Sequence, residues 1–190
     1  MGKARLEAFT DGVIAIIITI MVLEMKVPHG TDVAALYESV PLFLAYVLSY
    51  INVGIFWNNH HHMLHATGHI DGRVLWANLF LLFWLSLIPF VIRWIDEAGF
   101  VALPVAAYGV VLFMAAISYI LMQLAIVARN GRSSALAVAL GSDVKGKLSL
   151  ATYAVSIPLA FLQPWISIAL YVVVAFIWLV PDRRIESAVK

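Results

Sequence analysis

The chain has 190 residues, of which 63% are apolar and 12% charged, against roughly half and a quarter in an average soluble domain. One soluble domain of that length could not cover so much apolar side chain, so lipid is the solvent for most of it. The net charge of +1 leaves no global basic field for nucleic acid, and the absence of cysteine excludes disulfides, thiolate metal sites and cysteine nucleophiles.

Lys3 and Arg5 precede the first apolar run as they would in a secretory signal. Glu7 and Asp11 interrupt that approach, and residues 24–28 offer no small-residue cleavage site, so the run is expected to be a retained first helix. Charged residues then cut the chain into lengths near the ~20 residues that a helical crossing needs. Helices are expected over about 4–26, 34–60, 73–95, 99–129, 147–162 and 164–181. The second is entered through Pro41, near a helix start where proline is tolerated. The third carries Asn78 and Pro89 and ends in the polar turn Asp96-Glu97-Ala98-Gly99. The fourth is long enough to tilt or project from the bilayer. Residues 133–140 lie within a polar stretch and are too short to span, which suits a small helix at the interface. The last uncharged run, 148–180, is too long for one crossing and short for two, with Gln163-Pro164 placed as a tight turn would be.

Charge asymmetry decides between five crossings and six. With a cytoplasmic N-terminus and six crossings, the inner side holds Lys3, Arg5, Arg73, Arg129, Arg132, Lys145, Lys147, Arg183, Arg184 and Lys190, and the outer side only Lys26 and Arg93. Five crossings would export the basic tail, against the positive-inside rule. The expected architecture is an all-α integral membrane protein with six transmembrane helices, one domain over 1–190, in the plasma membrane with both termini cytoplasmic. Trp57, Trp94, Trp165 and Trp178 fall near helix ends, where interfacial anchors belong; Trp76 and Trp84 fit that frame less well.

An ionisable residue at the edge of a spanning helix needs protein or water around it. Asp11 finds no partner on its own helix, because Arg5 lies on another face and Glu7 at i−4 repels it. Its partner is expected from His60, His61, Arg73 or the Arg5 of a neighbouring subunit, unless it sits in interfacial water. Downstream, Ile16, Thr19, Ile20 and Leu23 have i, i+3, i+4, i+7 spacing and share one face. That face is either ordinary helix packing in lipid or the wall of a pore, where aliphatic rings would make a dewetting constriction and a hydroxyl would replace part of an ion's hydration.

Arg5-xxx-Phe9-Thr10-Asp11 resembles the arginine–phenylalanine–serine–aspartate signature that opens the first helix of the lysosomal potassium channel family, transmembrane protein 175, and its prokaryotic homologues. Trp57-Asn58-Asn59-His60 looks like that family's Trp-x-x-His, and Asp71, Asn78 and Pro89 keep the spacing of its Asp, Asn and Pro. The resemblance runs residue by residue over the first half and in hydropathy over the second; Thr10 replaces the usual serine and keeps the hydroxyl. It implies a homotetramer with one six-helix repeat per chain, in which four first helices line a central pore for potassium and other monovalent cations. The Thr-Val-Gly-Tyr-Gly filter of ordinary potassium channels is absent from both. The resemblance makes Ile16 the main constriction, with Ile20 and Leu23 as further apolar layers and Thr19 as the polar layer governing ion selectivity. It makes Arg5, Phe9, Thr10, Asp11, His60 and Asn78 the network that holds the pore helix.

His61 and His65, or His62, His65 and His69, would share a face if their helix continued, a metal arrangement that no cysteine and no nearby carboxylate but Asp71 supports. Glu24, Asp32, Glu38, Asp96 and Glu97 give the outer side an acidic excess that either concentrates cations or merely complements the positive inner side. The leading reading is a modestly selective potassium-permeable cation channel without cofactor. The alternative is a proton-coupled secondary transporter with Asp11 and His60 as relay, against which stand the lack of an inverted repeat and of a helix broken by paired Gly and Pro. A membrane enzyme ranks last, since no constellation has catalytic spacing.

Overall fold

A computed structural model describes residues 2–28, 30–131, 133–141 and 143–179. Arg132, the expected last turn at 180–181, and Arg183, Arg184 and Lys190 lie outside the described residues. Within them the chain forms eight helices: α1 (Lys3–Leu23), α2 (Val33–His65), α3 (Gly72–Ser86), α4 (Ile88–Ala98), α5 (Ala102–Asn130), α6 (Ala135–Leu140), α7 (Val144–Leu159) and α8 (Pro164–Leu179). Four stretches are long and apolar enough to cross a bilayer, namely α1, α2, α3 with α4, and α5. The chain is therefore a multi-pass, all-helical membrane protein.

Local chemistry explains where the helices start and bend. Asp32 caps α2, its carboxylate accepting from the Ala35 amide at 3.0 Å, so the helix begins well before Pro41. Pro41 consequently lies inside α2 rather than at its entrance, and leaves the Tyr37 carbonyl without its usual amide partner. Asp71 caps α3 through the amides of Arg73 and Val74. The third expected helix is interrupted at Leu87, two residues before Pro89, whose ring would meet the Leu85 carbonyl in an unbroken helix. Leu87 instead donates to Trp84 one residue short of the α-helical partner, and α4 restarts with proline in its first turn. Ser134 caps the short α6, and Pro164 opens α8.

Helix α5 is the hub, packing against α3, α4, α7 and α8. Helices α7 and α8 form an antiparallel hairpin: the Ser167 hydroxyl donates to the Ser156 carbonyl at 2.7 Å near the turn, and the Trp178 indole donates to Ser149 Oγ at 2.8 Å near the open end. Polar contacts cross the interior where hydrocarbon offers no competing water. Tyr108 Oη lies 2.9 Å from Ser49 Oγ and accepts from Asn52 Nδ2 at 3.4 Å, and the Tyr171 hydroxyl donates to the Val105 carbonyl at 3.2 Å. Such interhelical bonds contribute about 0.6 kcal/mol each. Gly109 is required beside them, because a β-carbon there would collide with the Tyr171 hydroxyl.

The contacts also sort the charges into two ends. Lys3 Nζ donates to the carbonyls of His65 and Thr67, and Asn130 bonds the backbone of His69 in both directions. Asn59, Asp143 and Trp178 line one small cavity. Lys3, Arg5, Arg73, Arg129, Lys145 and Lys147 thus gather at one end. Lys26 and Arg93 sit at the other, on Asp96 and on Glu24 with Glu97.

Candidate functional site: the two faces of the first helix

Helix α1 buries one stripe and leaves the opposite one bare. Leu6, Thr10, Ile14, Ile17 and Met21 recur every three or four residues and face α2, α3 and α4. On the other side Phe9, Ile16, Ile20 and Leu23 are 48%, 60%, 40% and 75% exposed, and Thr19 is exposed among them. Thr19 donates its hydroxyl proton to the Ala15 carbonyl, 2.8 Å away. That bond uses the only donor and leaves the oxygen lone pairs turned outward, a surface for a cation rather than an anion.

The buried stripe is fixed by a polar knot. Asn78 on α3 donates through Nδ2 to Thr10 Oγ1 at 3.0 Å, and its Oδ1 lies 3.3 Å from the Thr10 hydroxyl and 2.8 Å from His60 Nε2. With Asn78 so oriented, Nε2 of His60 carries the proton. All three residues are buried, and the knot ties α1, α2 and α3 at one level.

Asp11 is held differently from every expected partner within the chain. Its Oδ1 accepts from the Trp57 indole at 2.8 Å, at the exposed flank of α1 facing α2. Trp57 in turn stacks on His61, with ring centroids 6.3 Å apart. The sequence places Trp57 as an interfacial anchor and as the first residue of the Trp-x-x-His resemblance, and neither reading pairs it with Asp11; the missed signal was that a carboxylate at the edge of a spanning helix needs a donor and an indole is one. Asp11 and His60 bond to different side chains, so no direct relay joins them. Arg5 is exposed and its side chain has no partner among the described residues; Phe9 lies on the bare face, outside the knot.

The histidines come together only in part. His61 and His65 have ring centroids 6.1 Å apart on adjacent turns of α2. The helix closes at Ala66, whose amide bonds back to His62, so His69 falls in the loop and the expected face of His62, His65 and His69 does not form. No group of three potential metal ligands converges among the described residues.

A membrane-spanning bundle whose N-terminal helix is pinned on one side and bare on the other defines a class: a subunit that exposes an apolar face interrupted by one hydroxyl. The family described as endosomal/lysosomal potassium channel TMEM175 matches residues 5–89. Over its full 190 residues the chain is 50% identical to a potassium channel of Chryseobacterium sp. (strain P1-3), covering 100% of this chain and 99% of that one. A stretch of 73 residues is 44% identical to the endosomal/lysosomal proton channel TMEM175 of Bos taurus, 32% of this chain but 15% of that one. The crystal structure of a lysosomal potassium-selective channel TMEM175 homologue from Chamaesiphon minutus aligns with a TM-score of 0.78 at 26% identity, over 95% of this chain and 97% of that one. The chain belongs to the TMEM175 family.

Proposed function

We propose that four copies of this chain surround an axis lined by α1 and pass potassium and other monovalent cations down their electrochemical gradient. The observation that carries this reading is the bare face of α1, where Ile16, Ile20 and Leu23 are 60%, 40% and 75% exposed opposite a fully packed stripe. Four such faces on an axis make stacked aliphatic rings, with Ile16 the main constriction, that exclude water when narrow and admit ions when widened or wetted. Thr19 contributes the one oxygen layer between them. Aliphatic rings with a single hydroxyl layer discriminate ions less sharply than a carbonyl cage, so selectivity for potassium over sodium is modest. The full-length relative named a potassium channel supports the same permeant ion.

The α7 and α8 hairpin supplies the fifth and sixth crossings, and the basic end faces the cytoplasm at the plasma membrane in accordance with the positive-inside rule. Arg5, exposed and without a side-chain partner among the described residues, is available to the Asp11 of a neighbour.

The test is reconstitution into liposomes with a potassium-flux assay, sodium and caesium as comparators, alongside a native mass in mild detergent. Passive flux that follows the membrane potential, from a species of tetrameric mass, is the expected result. Saturable transport that requires a proton gradient would replace the channel by the carrier, and full flux from a monomer would remove the shared axis.

A further inference from the structure

We propose that Arg93 sets the cation concentration at the outer mouth of the conduction path, by neutralising one charge of a carboxylate cluster that includes Glu24. The proposal rests on the channel reading above and adds a residue that governs conductance without touching the constriction. Arg93 Nη1 lies 2.9 Å from Glu24 Oε2 and Arg93 Nε lies 3.1 Å from Glu97 Oε1, while Lys26 Nζ lies 3.0 Å from Asp96 Oδ2. Within this cluster three carboxylates therefore share two cations, leaving one negative charge.

The position of this cluster relative to the bare face is given by a cavity. A space of about 470 Å³ between α1 and the break of α3 with α4 is lined by Ile16 and Ile20 and also by Glu24 and Arg93. The ion pair thus borders the same space as the residues of the constriction, one turn beyond Ile20 along the helix.

The arrangement is better suited to shaping a field than to holding the fold. The side chains of Arg93 and Glu97 are 55% and 51% exposed, and ion pairs so exposed stabilise a protein little. A charge at the rim of a cleft with low-dielectric walls does change the local counter-ion concentration, and the change is screened by salt. Removing Arg93 doubles the net negative charge of this cluster, and removing Glu24 cancels it there.

The experiment is single-channel conductance in planar bilayers across a range of symmetric potassium chloride. Near 0.01 M the Debye length is about 30 Å and the mouth charge is felt, while at 1 M it is about 3 Å and the charge is screened. At low salt Arg93→Gln is expected to conduct several-fold better than the parent and Glu24→Gln several-fold worse, with the three converging at 1 M. Arg93→Lys keeps the charge without the fork and is expected to match the parent. If Arg93→Gln does not assemble, Glu97→Gln leaves the Arg93–Glu24 pair intact and is expected to lower conductance at low salt alone. Unchanged low-salt conductance in these charge-altering variants, or differences that persist at 1 M, overturns the proposal. No potassium current from the parent at any salt concentration overturns the channel reading itself, a distinct outcome.

Discussion

The two faces of α1 differ in what they ask of their residues. The stripe of Leu6, Thr10, Ile14, Ile17 and Met21 is packed against three other helices and carries a polar knot whose members have few alternatives. The stripe of Ile16, Thr19, Ile20 and Leu23 touches little of its own subunit and keeps Thr19's only donor on its own backbone. One face fixes where the helix stands, and the other, on the proposed reading, is free to be selected for what passes it. A substitution should therefore declare which face it lies on by what it damages, folding or flux.

The knot offers the largest effect. Asn78→Leu removes the partner that His60 and Thr10 share; the Thr10 hydroxyl can turn to its own helix backbone, but the buried His60 Nε2 proton loses its acceptor, at about 1–3 kcal/mol. The variant is expected to lose much of its tetramer in detergent and to unfold at a clearly lower temperature. Normal assembly with altered ion preference would erase the distinction between the faces.

Ile16→Asn comes next and should do the reverse. A polar ring at the constriction lowers the cost of stripping hydration from an ion, and a barrier reduced by about 1.4 kcal/mol raises flux tenfold. Discrimination between potassium and sodium should weaken with it. Ile18 is the control: two positions along the helix is about 200° around it, and Ile18 packs against the core. Ile18→Asn is expected to destabilise without any gain in flux. Unchanged current and ion preference in an assembled Ile16→Asn protein would make the bare face a lipid-facing or packing surface.

How much of this was legible in the sequence depends on whether the cause was local. Helical class and membrane residence follow from apolar runs cut by charge, and the small α6 from a stretch over 133–140 too short to span, though not its cap at Ser134. The extension of α2 to His65 was hidden, because Asn58, Asn59 and three successive histidines read as a polar helix end while the backbone bonds carry on to Ala66. The break at Leu87 precedes its cause by two residues, since proline acts on the carbonyl four positions back. The partner of Asp11 and the hydroxyl contacts of Tyr108 join positions 46, 59 and 56 residues apart. No periodicity within one helix encodes such pairs; they follow only from which helices become neighbours.

The flank between the faces should respond moderately. Trp57→Phe keeps the ring that stacks on His61 but removes the donor to Asp11, an exposed bond whose loss is expected to cost about 1 kcal/mol of subunit stability. Arg5→Ala, with no side-chain bond to lose among the described residues, is expected to leave the monomer's unfolding unchanged and to weaken only the proposed tetramer. Cross-linking yield set against thermal unfolding separates the two, and an Arg5→Ala monomer as destabilised as Trp57→Phe would place the role of Arg5 inside its own chain.

The smallest and most specific effect belongs to Thr19. Valine has nearly the same shape, so Thr19→Val leaves ring diameter and packing close to those of the parent while removing the hydroxyl, both its outward lone pairs and its bond to the Ala15 carbonyl. Four oxygens on an axis replace part of the hydration shell of an ion at that layer, and without them each ion crosses the level on residual water alone. The potassium-to-sodium permeability ratio is therefore expected to fall by roughly twofold, equivalent to about 0.4 kcal/mol, from reversal potentials under bi-ionic conditions. Conductance at saturating potassium should change little if, as proposed, the Ile16 ring limits passage. Thr19→Ser restores the oxygen and should restore the ratio. A valine variant with an unaltered ratio would show that the hydroxyl serves only its bond to Ala15, and that whatever discrimination the bare face possesses comes from the aliphatic rings.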